Sequence, residues 1–334
     1  MHPPHRRINL PLALLLAALA LVSLAVGAAS LSLPTVWRGL VTRDGIAGLI
    51  IWDIRLPRTV LALLIGATFG LSGAALQGLL RNPLAEPALF GAPQAAAAGA
   101  SLMIAFGFAS VTSFMVPVAG IAGALLSIGG LIAIAGRRAS LTVTLLAGLA
   151  LASFAGAATA LILNLAPNPY IALEIAFWLL GSLEDRSSDH VILILPFLLL
   201  SWMLLSLCAP AFRALTLGED GAASLGVDIP RTRAMVVAGV ALGVGAAVSV
   251  TGAIGFVGLV APHLVRRAVG SDPGRIMLPA ALAGACLLTA SDIAVRLVPA
   301  ATEIKLGVVT ALIGVPFFLA MILRERRILE GAPA

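Results

Sequence analysis

Apolar runs of about 20 residues alternate with short polar stretches along nearly the whole chain. At a rise of about 1.5 Å per residue, a run of that length crosses a bilayer as a single helix. The runs fall at 8–33, 57–80, 86–108, 113–135, 142–165, 191–211, 234–254, 256–270, 276–297 and 304–323, the eighth being the shortest. The pattern predicts an all-α polytopic membrane protein with about ten transmembrane helices, forming one transmembrane domain over 1–334. The first run follows Arg6 and Arg7 and ends in small residues, as a secretory signal peptide does. Its length favours an uncleaved first span instead.

One polar interruption stands apart. Residues Arg81 to Pro87 read Arg-Asn-Pro-Leu-Ala-Glu-Pro between two apolar stretches. Pro83 and Pro87 cannot both lie within a regular helix, because each removes a backbone donor and clashes with the preceding turn. Inside a bilayer such a break must be buried in protein or line a watery cavity. A tight loop between spans and a functional opening are both compatible with the local sequence.

Composition narrows the class. The chain is 60% hydrophobic and 11% charged, against about 25% charged in soluble domains. Cys208 and Cys286 lie in apolar runs without paired spacing, so no disulfide framework and no metal motif is expected. The arginines are scattered between spans rather than gathered in a patch, which argues against nucleic acid as a partner. They sort instead by side. With the N-terminus inside, Arg6, Arg7, Arg81, Arg137, Arg138, Arg213, Arg231, Arg233, Arg266, Arg267, Arg275, Arg324, Arg326 and Arg327 are cytoplasmic. Arg38, Arg43, Arg55, Arg58, Arg186, Arg296 and Lys305 are outside, and the imbalance places both termini in the cytoplasm. The only lysine follows Ile304, so the Gly-Lys-Ser/Thr step of a P-loop is absent and the chain holds no P-loop ATPase of its own.

At an offset of 179 residues, Gly66 matches Gly245, Gly73-Ala74 matches Gly252-Ala253, Leu80 matches Leu259 and Pro83 matches Pro262. The matched spans are five crossings apart, so the copies would have opposite orientation, an arrangement found in transporters. Two segments outside the spans are structured enough to matter. Ile171 to Leu183, with Glu174 and Trp178, suggests an interfacial helix on the outer side. The inner segment 212–233, with Leu217-Gly218-Glu219 and Leu225-Gly226-Val227, suggests short helices lying against a protein partner.

Three further features bear on chemistry. Gly70-Leu71-Ser72-Gly73 matches the GxSG pattern of rhomboid proteases, with His263 the histidine nearest a span core; helix packing through small residues accounts for the same pattern. Asp292 and Arg296 have the i, i+4 spacing of an intrahelical ion pair. Arg55, Arg58 and Arg296 oppose the inside bias, so they suit lipid headgroups or an acidic protein surface.

Taken together, Arg55-Leu56-Pro57-Arg58, Arg81 to Pro87, Leu217-Gly218-Glu219 with Leu225-Gly226-Val227, Gly255-Phe256-Val257-Gly258-Leu259 running to Pro262-His263, Asp292 with Arg296, and Gly314-Val315-Pro316-Phe317-Phe318 resemble the permease subunit of ABC importers for iron–siderophore complexes, haem and cobalamin. The resemblance covers Arg55 to Arg324. It implies a multi-pass inner-membrane homodimer that moves a ferric siderophore, or haem or cobalamin. It implies a periplasmic binding protein docking on Arg55, Arg58 and Arg296, and a cytoplasmic ABC ATPase dimer holding ATP and magnesium. That ATPase would seat on Leu217, Gly218, Glu219, Ala222, Leu225 and Gly226, while Asn82, Leu84 and Thr142 form a cytoplasmic gate. Pro83, Pro87, Pro262 and His263 are structural markers. The chain departs from the family pattern at Ala95, where a glycine is usual, and at Lys305, where proline is usual. An ion-gradient carrier, which needs ionisable residues at mid-span, and an intramembrane protease are the competing readings.

Overall fold

The computed structural model describes residues 5–27, 29, 31–108, 114–136, 140–299 and 303–329. Among the described residues, eight helices are long and apolar enough to cross a membrane. These are α1 (His5–Ala25, apolar from Ile8), α4 (Leu56–Leu80, continuing a helical lead-in from Gly45), α6 (Met115–Ala135) and α7 (Leu141–Asn164), then α9 (Ser188–Leu207), α12 (Ile229–Thr251), α14 (Met277–Leu297) and α15 (Leu306–Leu329). Two shorter apolar helices, α5 (Ala92–Ala105) and α13 (Val257–Arg266), stand where the third and eighth spans were expected. Arg137 and Arg138 lie outside the described residues.

Small helices fill the connections. Residues 33–55, expected as an outer loop, instead form α2 (Leu33–Thr42), α3 (Gly45–Leu49) and a π-helical turn (Ile50–Arg55) that runs straight into α4. Ser32 caps α2, and the Arg43 guanidinium stacks 3.7 Å above the Trp52 ring. On the other edge, α8 (Pro169–Leu179) occupies the segment read as an interfacial helix; Asn168 caps it by accepting from the amides of Tyr170 and Ile171. Two short helices, α10 (Ala209–Leu215) and α11 (Glu219–Ser224), precede α12.

The helix-level repeat is real, but its register is not the one expected. Pro83 lies in the turn after α4 whereas Pro262 lies inside α13, so the 179-residue offset and its proline pair are overturned. Aligning the starts of α4 and α12 gives an offset of 173: Leu56-Pro57-Arg58-Thr59 faces Ile229-Pro230-Arg231-Thr232, and Gly66, Gly70 and Ala74 face Gly239, Gly243 and Ala247. The packing repeats too. The α1–α4, α4–α14, α13–α14, α4–α13 and α13–α15 contacts have counterparts in α9–α12, α12–α6, α5–α6, α12–α5 and α5–α7. The two central helices run antiparallel: Phe212 on α10 packs on Gly78 near the end of α4, and Cys208 just before it contacts the Thr232 carbonyl in the first turn of α12.

Helices α4 and α12 are buried along most of their length and α14 along much of it, while α1, α6, α7, α9 and α15 turn most of their surface outward. Glycine sets how closely the core helices approach. A methyl group on Gly66 or Gly70 would strike the α14 backbone at Gly284 or Ala280, and one on Gly73 would strike the Gly258 carbonyl. That carbonyl is available because Pro262, four residues on, has no N–H to bond it.

Candidate functional site

Sequence motifs far apart in the chain meet at three places, one at each end of the bundle and one at its centre.

The outer cluster gathers Arg55, Arg58, Asp292, Arg296 and Glu303. Arg58, on the first turn of α4, donates from Nε and Nη2 to Asp292 Oδ1 at 2.9 and 2.8 Å, and from Nη1 to Glu303 Oε2 at 3.0 Å. Arg296 forms the expected i, i+4 pair with Asp292 at 2.9 Å, and also donates to the carbonyls of Ser23 and Val26 at the end of α1. Arg55 donates to the carbonyls of Leu24 and Ala25 at 2.8 and 2.7 Å, and to that of Ala29. A helix ends with carbonyls that lack intrahelical partners, and cations suit that end of its dipole. Two arginines from neighbouring helices supply both needs for α1, so the helix stops at Ala25 rather than running on to residue 33.

Arg55, Arg58 and Arg296, expected on the outer side as docking cations, are largely turned into the subunit. Arg55 and Arg58 are 3% and 8% exposed, Asp292 is fully buried, and all three guanidiniums are committed to internal acceptors. Their placement on the outer side reflects a need to neutralise Asp292 and close α1. Lys305, the residue in place of the usual proline, pairs with Glu184 at 2.9 Å and ties the start of α15 to the loop before α9.

The central junction joins both interrupted helices. The first interruption opens at Arg81, which ends α4 with a left-handed φ of 49°. Asn82 Oδ1 then accepts from the Leu84 amide at 2.9 Å, making a local turn through Pro83. Pro87 begins a short 3₁₀ turn (Pro87–Phe90), and Gly91, with a φ of 75°, redirects the chain into α5. The second interruption runs from Gly252 to Phe256, whose φ of 67° is unusual for a bulky residue. Glu86 links the two, its Oε1 accepting from the Phe256 amide at 3.0 Å, across 170 residues of sequence. The Phe256 side chain presses on Gly314, His263 packs edge-on against Phe317 at 5.3 Å, and a methyl on Gly258 would lie 2.8 Å from Pro87 Cδ. A cavity of about 130 Å³ opens beside Glu86, reached also by Phe69, Gln94 and Val248.

Of the expected gate residues, Asn82 and Thr142 are exposed and Leu84 is half-buried. Thr142 lies in the first turn of α7, whose Gly148 packs against the 3₁₀ turn at Leu89, about 9 Å further along the helix. Ser72 is buried and its Oγ has no hydrogen-bond partner among the described residues, so no Ser–His relay is assembled with His263 there. The GxSG glycines serve close helix approach instead.

The inner surface is built on α10 and α11. Gly218, with a φ of 92°, starts α11, and Gly226, at 86°, ends the turn after it. Ala222 faces the core, whereas Leu217 and Leu225 are 68% and 65% exposed on either side. Glu219 pairs with Arg233 at 3.1 Å. Arg213 on α10 pairs with Asp272 at 3.0 Å, and Asp272 also accepts from the amides of Gly274 and Arg275. Burial alone would raise the Asp272 pKa, but the Arg213 hydrogen bond and the two amides outweigh it and hold the carboxyl below its ordinary range.

The sequence profile of the FecCD transport family matches residues 15–324. The chain belongs to the FecCD transport family. It is 36% identical over 326 residues to the hemin transport system permease protein HmuU of Yersinia pestis, covering 96% of each chain. It is 41% identical over 286 residues to the cobalamin import system permease protein BtuC of Halobacterium salinarum, covering 84% of this chain and 75% of that one. Its fold superposes with a TM-score of 0.86 and 30% identity on an inward-facing metal-chelate type ABC transporter, over 96% of this chain and 99% of the other. The chain is therefore a multi-pass ABC permease of the FecCD type, and the site to be explained is one for transport.

Family membership gives the motif convergence its meaning. The Glu86–Phe256 link and the arginine closure of α1 were not legible as such in the sequence. The first hides behind an ordinary-looking acidic residue before a proline. The second is masked because Arg58 is separated from Asp292 and Glu303 by 234 and 245 residues. The Ile229-Pro230-Arg231-Thr232 echo was the available signal for the true repeat register.

Proposed function

We propose that this FecCD permease is the membrane-spanning subunit of a binding-protein-dependent importer in the bacterial inner membrane, moving a ferric siderophore, or alternatively haem or cobalamin. ATP hydrolysis on a separate cytoplasmic ABC ATPase dimer drives it, a periplasmic binding protein delivers the substrate, and two copies of the permease form the path. The relatives are named for hemin and cobalamin transport, which supports a bulky metal chelate or corrinoid as cargo.

The observation that carries the reading is the inner surface. Leu217 and Leu225, 68% and 65% exposed, flank a six-residue helix that lies outside the membrane-spanning helices, on the side richest in arginine, where lipid tails would not cover them. Exposed leucines flanking a short, well-anchored helix suit insertion into a groove of a partner, where apolar anchors dominate binding. Leu217→Asp combined with Leu225→Asp should leave the permease inserted while lowering ATPase capture and ATP-driven uptake at least about tenfold, since two buried anchors of this kind contribute more than about 1.4 kcal/mol together. Wild-type capture and uptake in proteoliposomes would contradict it. Under this reading Leu84 and Asn82 narrow the inner exit and Thr142 borders it. Arg55, Arg58 and Arg296 hold the first span to the subunit on the face where the binding protein would dock.

A further inference from the structure

We propose that Glu86 is a positioning residue for transport: its carboxylate carries motion of the inner helices into the 81–91 break that bears Asn82 and Leu84. The inference rests on the importer reading above.

The argument follows a chain of contacts. Phe212 and Arg213 lie on α10, immediately before the exposed α11 surface. Arg213 grips Asp272, in the loop that follows α13, so movement of α10 is passed to the C-terminal side of α13. Arg266, at that same end, donates to Gln77 Oε1, and Gln77 in turn donates to the Leu259 carbonyl in the first turn of α13, holding α13 against the end of α4. At its other end α13 meets Glu86 through the Phe256 amide. A ten-residue helix thus has the coupling side at one terminus and the break at the other.

Such a helix moves as a rigid body, since its internal hydrogen bonds are unaffected by sliding or tilting. What it can transmit depends on its end contacts. Gly258 against Pro87 resists only compression, because van der Waals contacts pull weakly once separated. The Glu86–Phe256 hydrogen bond is charge-assisted and directional, so it can also pull. The adjoining cavity of about 130 Å³ leaves room for that displacement. An ionisable side chain among apolar spans is costly unless it has such a task, and Glu86 makes no ion pair among the described residues.

The test uses the full complex with its ATPase, reconstituted in liposomes, with maleimide labelling of Leu84→Cys followed with and without ATP and vanadate. The labelling rate should change at least about threefold on trapping in the Leu84→Cys background. Adding Glu86→Ala should abolish that change while ATP hydrolysis continues. Adding Glu86→Gln should preserve it, because an amide oxygen also accepts from the Phe256 amide. A response that survives Glu86→Ala overturns the proposal, as does one lost equally in Glu86→Gln. No response in the Leu84→Cys background overturns the route to the break itself. The importer reading has a separate readout: hemin, cyanocobalamin and ferrichrome uptake by the unsubstituted complex.

Discussion

Arg58 shows how much a single side chain can hold in an apolar setting. It faces two carboxylates, one of them fully buried, and lies one turn from the closure of α1. Removing one partner of a buried ion pair leaves an uncompensated charge, which typically costs about 3–5 kcal/mol. Arg58→Ala should therefore lower the thermal midpoint of the detergent-purified subunit severely, and Arg58→Ala with Asp292→Asn should recover part of the loss. An Arg58→Ala protein as stable as wild type, but unable to recruit a binding protein, would give Arg58 a docking role in place of a structural one.

Asp272 makes a gentler case. Its folded pKa is depressed, so its contribution to stability is full above the unfolded value and is lost as pH falls through the folded one. The stability gap between wild type and Asp272→Asn should be flat from pH 7 to about pH 5 and close below about pH 4. The pair is partly exposed, so the gap should stay within about 1 kcal/mol. A thermal-shift series over that range reads it; a gap that widens in acid contradicts the assignment.

Elements were legible in the sequence to the extent that their apolar surface is continuous. The long runs read directly as helices, and the prolines at 83 and 87 marked an interruption that the structure contains. The outer helices α2 and α3 do not read as helices because they are short, α2 being punctuated by Thr35, Arg38 and Thr42 and α3 having two glycines in five residues. The repeat was found at the wrong offset because glycine and alanine recur so often that several registers score alike. What the sequence could not display is which glycines touch which helix. Gly70 faces the Ala280 carbonyl directly, so Gly70→Ala should force α4 and α14 apart and cost about 1–3 kcal/mol, as overpacking does. Gly156→Ala, where a methyl meets nothing, is the matched control. Equal melting temperatures for the two variants would show that the α4–α14 joint is looser than described.

At the scale of the whole molecule, the antiparallel pair α4 and α12 forms a buried spine, and each is followed by a break and a short helix. The breaks do not lie apart on the two sides of the bundle; Glu86 fastens one to the other. Glu86 and Phe256, 170 residues apart in sequence, thereby meet at one junction, so a break that reads locally as a turn is tied to a second break. The outer cluster anchors the first span, and the inner helices present the apolar surface for a partner. An ion-gradient carrier would need a titrating group free to cycle along the path, whereas Asp292 and Glu303 are held in ion pairs by Arg58 and Arg296.

As an importer subunit of the kind proposed, this permease should work only when a separate ATPase does. The direct measurement is uptake of hemin, cyanocobalamin or ferrichrome into proteoliposomes holding the permease alone, or the permease with its cognate ATPase and binding protein. Accumulation should require all three proteins and hydrolysable ATP, and should be indifferent to ionophores. Ionophore-sensitive accumulation by the permease alone would make the protein an ion-gradient carrier instead.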